Sequence, residues 1–420
     1  MSPTAFCAFL GGLLALAFIA NRLYRLTRVP DVIVLMAVGL MLGPVLGWVK
    51  AAGFQSVTHI LGTLALILIL FEGGLELNLR DTLRHFPGGV LLAILGYYIS
   101  TGMVAAVAWK IHLFGLRDAL LVGAVLGCVS SSIMLPVLQQ IKLTNAVRVT
   151  LLIEGSLGDV LGVLTVSVLL SIGGDTGPQL TGFLAGIFSK LLVSVAAAVV
   201  IGIIWTRVLR VLAEQRFWQV MTLSILLLVY AAAQALSHGG LIAVFAFGLT
   251  LANVRHADPW GIASTIGVSS GEPQHHLQIL SFHSELAFLV RSFFFILLGV
   301  VVKISGLQGY VGFTLAVFAA LVAARLIAVE ATGWTWKEKN PRERRVAMLL
   351  FPRGLITAVL AIEVIEAQGA AFSFLPALAF SMILLTNVLV VVASVRAGPN
   401  PPPGPPAPIE GDHPVTASAS

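Results

Sequence analysis

Charge is scarce in this sequence. Aspartate, glutamate, lysine and arginine make up 10% of its 420 residues, against about 25% in a soluble domain. A chain that is 58% hydrophobic with mean hydropathy +0.98 is excluded from the soluble class and reads as an all-α, polytopic membrane protein. Cysteine is scarcer still. Cys7 and Cys128 both sit in apolar segments, which excludes a disulfide framework or a thiolate metal centre. The period-2 alternation of an outer-membrane barrel is missing. So is any positive charge ahead of the first apolar run, 5–20; Arg22, Arg25 and Arg28 follow it instead. That argues against a cleaved signal peptide and for a retained first helix with its N-terminus outside. The net charge of +6 is spread over loops and does not imply nucleic acid.

Thirteen apolar runs are then expected to cross the membrane, at about 5–20, 32–49, 59–77, 88–109, 118–140, 149–170, 180–205, 217–236, 239–254, 284–302, 308–330, 346–366 and 371–395. Starting outside, this topology puts seventeen lysines and arginines on the cytoplasmic side and only Lys50, Lys110, Arg117 and Lys303 outside, as the positive-inside rule demands. Lys190, Arg291, Arg325 and Arg353 remain within apolar runs. An odd count lets the first six spans and the last six form two inverted repeats around one extra crossing. Span 5 contains Ser130, Ser131, Ser132 and Pro136, and span 12 contains Phe351-Pro352-Arg353-Gly354. Interrupted helices at matching places in two halves point to a transporter's midplane site; two ordinary proline kinks are the plainer alternative.

The run 149–170, VTLLIEGSLGDVLGVLTVSVLL, carries Glu154 and Asp159. A carboxylate there is expensive, roughly 3 kcal/mol even on insertion scales. Five helical positions turn through about 500°, leaving the two acids about 140° apart, so they cannot share one ligand shell. Asp159 lies among Gly155, Gly158 and Gly162, which let a backbone, water or ion approach. Asp159 is the expected ion or proton carrier, and Glu154 is expected to be held by a buried partner. A pair of purely structural acids is the alternative. Ser130, Ser131, Ser132 and Ser156 supply hydroxyl oxygens for a hard monovalent cation at Asp159, with water and carbonyls freed at the helix breaks. Burial disfavours a bare carboxylate, so protons and cations compete for it. No cofactor and no covalent catalysis are called for.

Elsewhere, Glu72 precedes Gly73-Gly74, while Glu76 and Asp81 read as an interfacial charge cluster near Arg80 and Arg84. Residues 256–283, with His256, His275, His276 and His283, read as a solvated loop, a metal or pH-sensing role being the alternative. Residues 1–395 form the membrane domain, and 396–420, beginning RAGPNPPPGPPAP, a disordered proline-rich tail.

The segments RVPDVIVLMAVGLMLGP, LFEGGLELNLRD, EGSLGD, LSHGGLIAVFAFGLTLAN, RSFFFILLGV, AARLIAV and FPRGLITAVLA, in this order, resemble the bacterial monovalent cation/proton antiporter family over about residues 30–395. The resemblance implies a thirteen-helix fold of inverted repeats, a homodimer in the cell membrane, and exchange of Na⁺ or K⁺ for H⁺ in pH homeostasis. It places Asp159 on the family's ion-binding aspartate, Glu154 on a buried glutamate, and Arg325 on that glutamate's basic partner. Arg353 matches the arginine of an Arg-Gly break, and Arg291 sits where a basic residue is common. The chain also departs from the pattern. Gly158 replaces the asparagine of sodium-selective relatives and the second aspartate of electrogenic ones. Val129-Ser130-Ser131 replaces the Thr-Asp-Pro of the crossing helix in sodium exchangers, and the serine triplet is closer to the potassium-efflux branch. With Asp159 as the only free carboxylate, exchange is expected to be electroneutral, by an elevator-like movement of a core made of spans 3–6 and 10–13. A gated cation channel, disfavoured because no repeated filter or ring of charges occurs, and a transport-inactive sensor are the rival readings.

Overall fold

The computed structural model describes residues 3–27, 29–48, 55–76, 79–111, 114–171, 180–212, 217–237, 239–253, 273–302, 310–333 and 340–398. Apolar runs in a bilayer must satisfy every backbone N–H and C=O internally, and no β-strand occurs among the described residues. The helices are α1 (Pro3–Thr27), α2 (Asp31–Leu40, continued by a π turn at Met41–Val45), α3 (Gln55–Glu76), α4 (Leu79–Lys110), α5 (Leu116–Gly127), α6 (Ser131–Gln140) and α7 (Asn145–Ser171). There follow α8 (Leu180–Leu212), α9 (Trp218–Ser237), α10 (Gly240–Asn253), α11 (Pro273–Val301), α12 (Val311–Thr332), α13 (Pro341–Leu349), α14 (Leu355–Gln368) and α15 (Leu375–Ala397). Among the described residues nine helical stretches are long and apolar enough to cross a membrane, with four shorter apolar helices besides. The chain is a multi-pass integral membrane protein.

The helices pack as two bodies. One gathers α4, α5, α6, α7, α12, α13, α14 and α15, with α4 lying against α5, α7 and α12. The other gathers α1, α2, α3, α8, α9, α10 and α11, with α3 against α10 and α11, and α2 against α11. This corrects the expected core. Spans 3 and 10, here α3 and α11, belong to the second body and only flank the first. Backbone proximity decides it. A side-chain carbon added at Gly74 of α3 would fall 2.5 Å from the Phe245 carbonyl of α10, and one at Gly43 would fall 2.7 Å from the Val300 Cα of α11. Only glycine permits such contact between helices.

A second correction concerns His283. The expected polar loop 256–283 is shorter, because α11 already begins at Pro273. His283 lies fully buried inside it, with Nδ1 2.8 Å from the Ile279 carbonyl and its ring edge-on to Phe71. Polar residues lower the hydropathy of a window without stopping a helix, since a helix closes its own backbone hydrogen bonds whatever its side chains; the stretch apolar enough to span already starts at Gln278, ahead of His283. Residues 254–272 with His256, the side chains of His275, His276, Glu76 and Asp81, and the tail from 399 lie outside the described residues.

Both interrupted helices are broken where their unusual residues stand. Between α5 and α6, Cys128 and Ser130 are extended (ψ 134° and 115°); between α13 and α14, residues 350–354 carry no helix. Pro136 lies inside α6 rather than at the break. The two openings cross, and the Ser130 N–H donates to the Pro352 carbonyl at 2.8 Å. A side-chain carbon at Gly354 would fall 2.7 Å from the Ser130 Cβ, so this crossing needs glycine there.

Candidate ion-binding site

A helix that stops inside a membrane leaves carbonyls at its C-terminal end and N–H groups at its N-terminal end, with partial charges to match. Here buried arginines take the carbonyls. Arg353 Nη1 donates to Gly127 O at the end of α5, at 2.6 Å. Arg325, on α12, donates from Nε to Ala347 O at 2.9 Å and from Nη2 to Leu350 O at 2.8 Å, at the end of α13. Its Nη1 pairs with Glu154 Oε1. Both partners are buried, at 3% and 1% exposure. The expected Glu154–Arg325 contact is therefore present, and the arginine also caps a half-helix. Arg353 is anchored further: its N–H donates to Thr386 Oγ1, and its carbonyl accepts from Asn387 Nδ2, both at 3.0 Å.

At the N-terminal end of α6 the donors meet an acid. Ser131 donates to Asp159 Oδ2 twice, from Oγ at 2.5 Å and from its backbone N–H at 3.3 Å. Asp159 is 1% exposed, and its Oδ1, also buried, accepts no hydrogen bond from the protein. Gly155 permits the approach, because a side-chain carbon there would sit 3.1 Å from the Ser131 Cα. Gly158 is looser, with Val129 N 3.6 Å from such a carbon.

Of the expected hydroxyls, only Ser131 touches Asp159. Ser130 and Ser132 pair with each other, Oγ to Oγ at 3.0 Å. Ser156 is buried on α7, facing Gly73 of α3.

A cavity of about 540 Å³ lies between the two bodies. Its walls include Ser131, Ser132, Leu135 and Pro136 of α6, Leu152 and Ser156 of α7, Ile69, Glu72 and Gly73 of α3, and Ser281, Ser284, Glu285, Phe288 and Arg291 of α11. Gln139, Ser281 and Glu285 are exposed and form its mouth. Ser131 stands between this space and Asp159. Glu72 accepts from Ser284 Oγ at 2.5 Å across the opposite wall. Arg291, for which the sequence suggested no partner, reaches Asp31 Oδ2 at 3.5 Å and the Ser132 carbonyl at 2.9 Å. Asp31 and Ser284 are the site residues that sequence reasoning missed.

A bundle with two crossed, broken helices and a buried acid at their junction has the build of an ion carrier, and comparison with known proteins decides its kind. The family model described as "Sodium/hydrogen exchanger, transmembrane" matches residues 12–397. The chain belongs to the sodium/hydrogen exchanger family. It is a secondary transporter of the cation/proton exchanging kind and not an enzyme. It is 23% identical to the Na(+)/H(+) antiporter 1 of Methanocaldococcus jannaschii, over 85% of this chain and 82% of that protein. It is 25% identical to the K(+)/H(+) antiporter NhaP2 of Shewanella baltica, over 87% of this chain but only 61% of that protein's length. A solved structure of the sodium proton antiporter MjNhaP1 from M. jannaschii at pH 8 shares its fold, with TM-score 0.69 and 21% identity over 94% of this chain and 96% of the other.

Proposed function

We propose that this exchanger trades one Na⁺ or K⁺ for one H⁺ by alternating access at Asp159. The observation that carries the reading is the state of that carboxylate. One oxygen is held by Ser131, the other is buried with no protein donor, and Ser131 lines a cavity between two packed bodies. A buried carboxylate left bare is costly, so it takes either a proton or a cation. Ser131, Ser156 and water complete a cation's oxygen shell, with Ser130 and Ser132 one step away. The core gathered around α4, α7 and α12 moves as a unit past the other body. Thirteen spans in two inverted repeats fit the matched breaks at Ser130 and Pro352.

The protein works as a homodimer in the lipid bilayer of the cell membrane. Its N-terminus lies outside and its C-terminus in the cytoplasm, in keeping with the distribution of lysine and arginine. Residues 1–395 form the transport domain, and the proline-rich stretch that follows is its tail.

The test is a proton-gradient dequenching titration in proteoliposomes with Li⁺, Na⁺, K⁺ and Rb⁺. Coupled proton movement with Na⁺ or K⁺ is expected. Uncoupled current instead would make the chain a channel, and silence with every cation would make it a sensor.

A further inference from the structure

Arg291 belongs to α11, yet its Nη1 donates to the Ser132 carbonyl at the start of α6, in the other body. That carbonyl is unusual. The ordinary helical bond to it would come from the N–H of residue 136, and residue 136 is proline, which has none. Ser132 is buried, so its carbonyl needs a donor from elsewhere. The guanidinium is anchored on its own side. Nη2 lies 3.5 Å from Asp31 Oδ2 on α2, and the Phe288 ring lies 6.0 Å from Cζ. Arg291 is thus held to its own body by a charge pair and a ring, and it touches the other body through one carbonyl.

We propose that Arg291 is a latch between the two bodies: it fastens the described conformation by bonding the carbonyl that Pro136 leaves without a helical donor, and it rests on Asp31 when the core moves away. The proposal builds on the alternating-access reading above. A charge-assisted hydrogen bond is short and directional, so a displacement of a few ångströms breaks it. Asp31 spares the released guanidinium from being an unpaired buried charge. Ser132 adjoins Ser131, so the latched carbonyl and the hydroxyl on Asp159 sit on consecutive residues. Arg291 acts through them as a positioning residue, since its own positive charge repels a cation.

The experiment reads conformation directly. In a Cys7→Ser background, Leu135→Cys places a thiol on the cavity wall, and its labelling by a membrane-impermeant maleimide is timed in proteoliposomes. Protein lacking Leu135→Cys corrects for Cys128. With Arg291→Gln, labelling should slow by roughly threefold or more as the population shifts toward the other conformation. Arg291→Lys, which keeps a charged donor beside Asp31, should stay near the parent rate. Pro136→Ala supplies the missing N–H and straightens α6, and it should slow labelling in the same direction; if Arg291→Gln does not fold, this variant decides alone. Unchanged labelling in the folded variants overturns the latch. Labelling needs no transport, and cation-driven proton flux is measured on the same vesicles. Absent flux with altered labelling would sink the exchange reading and leave the latch standing, while normal flux with unaltered labelling would do the reverse.

Discussion

Arg353 and Gly127 meet at the point where α5 stops, guanidinium to carbonyl across 2.6 Å. The contact substitutes a side chain for the helical N–H that a continuous helix would have provided. A positive group there also matches the partial negative charge of the helix end.

Truncation of Arg353 should therefore destabilise the fold rather than simply slow transport. Arg353→Ala leaves a buried carbonyl bare and is expected to cost about 2 kcal/mol. Arg353→Lys, which can still reach one carbonyl, should lose less. Thermal unfolding in detergent ranks the two, and an alanine variant as stable as the parent would show that the cap is dispensable.

Glu154 and Arg325 should behave as an unequal pair. Neutralising either strands a buried charge, for about 3–5 kcal/mol. Arg325→Gln should be the worse of the two, because it also uncaps Ala347 and Leu350. Adding Glu154→Gln to Arg325→Gln should recover the stranded-charge part and not the capping part. A double mutant as unstable as the two singles summed would mean that no coupling exists.

Asp159→Asn is expected to abolish exchange in a protein that still folds, since asparagine can keep the Ser131 bond but has no proton to trade. Ser131→Ala should be milder, weakening apparent cation affinity roughly tenfold through loss of one strong hydrogen bond. Robust cation-driven proton flux from folded Asp159→Asn protein would falsify the assignment of the site.

Stoichiometry can be changed at Gly158. On the proposal that Asp159 alone alternates between a proton and a cation, the parent should exchange at a rate that ignores an imposed membrane potential. The space at residue 158 admits a side chain, with the nearest backbone atom 3.6 Å from an added carbon. Gly158→Asp should then make the rate sensitive to potential. A potential-dependent rate in the parent would point to a second titrating group, Glu72 being the first to replace.

Charges inside apolar runs were the most legible part of the site. That Glu154 needs a buried partner could be read from its apolar run, but that the partner is Arg325, 171 residues away, was implied only by the family resemblance, since Lys190, Arg291 and Arg353 also lie in apolar runs. The breaks were legible too, because serine clusters and Pro-Arg-Gly disfavour uninterrupted helix. Asp31 was not. It follows Pro30 at the first turn of α2, where an acid reads as an ordinary helix-start charge. Nothing local announces a partner on α11. Hydropathy likewise marks α3 and α11 as apolar without saying which neighbours they join, and that depends on where glycines let backbones touch. His283 was misplaced because the spanning stretch reaches back to Gln278, so the polar residues around His283 lie inside the helix rather than ahead of it.

The crossing of the two broken helices also sets an order of assembly. Gly127 is synthesised 226 residues before the arginine that caps it, and Ser130 waits nearly as long for the carbonyl of Pro352. The first half of the bundle therefore enters the bilayer with its central helix end unsatisfied, and no truncated chain that stops short of residue 353 can finish it. Closure of the crossing is thus the last thing the chain can complete, because both of its partners in the second half must be in the bilayer first.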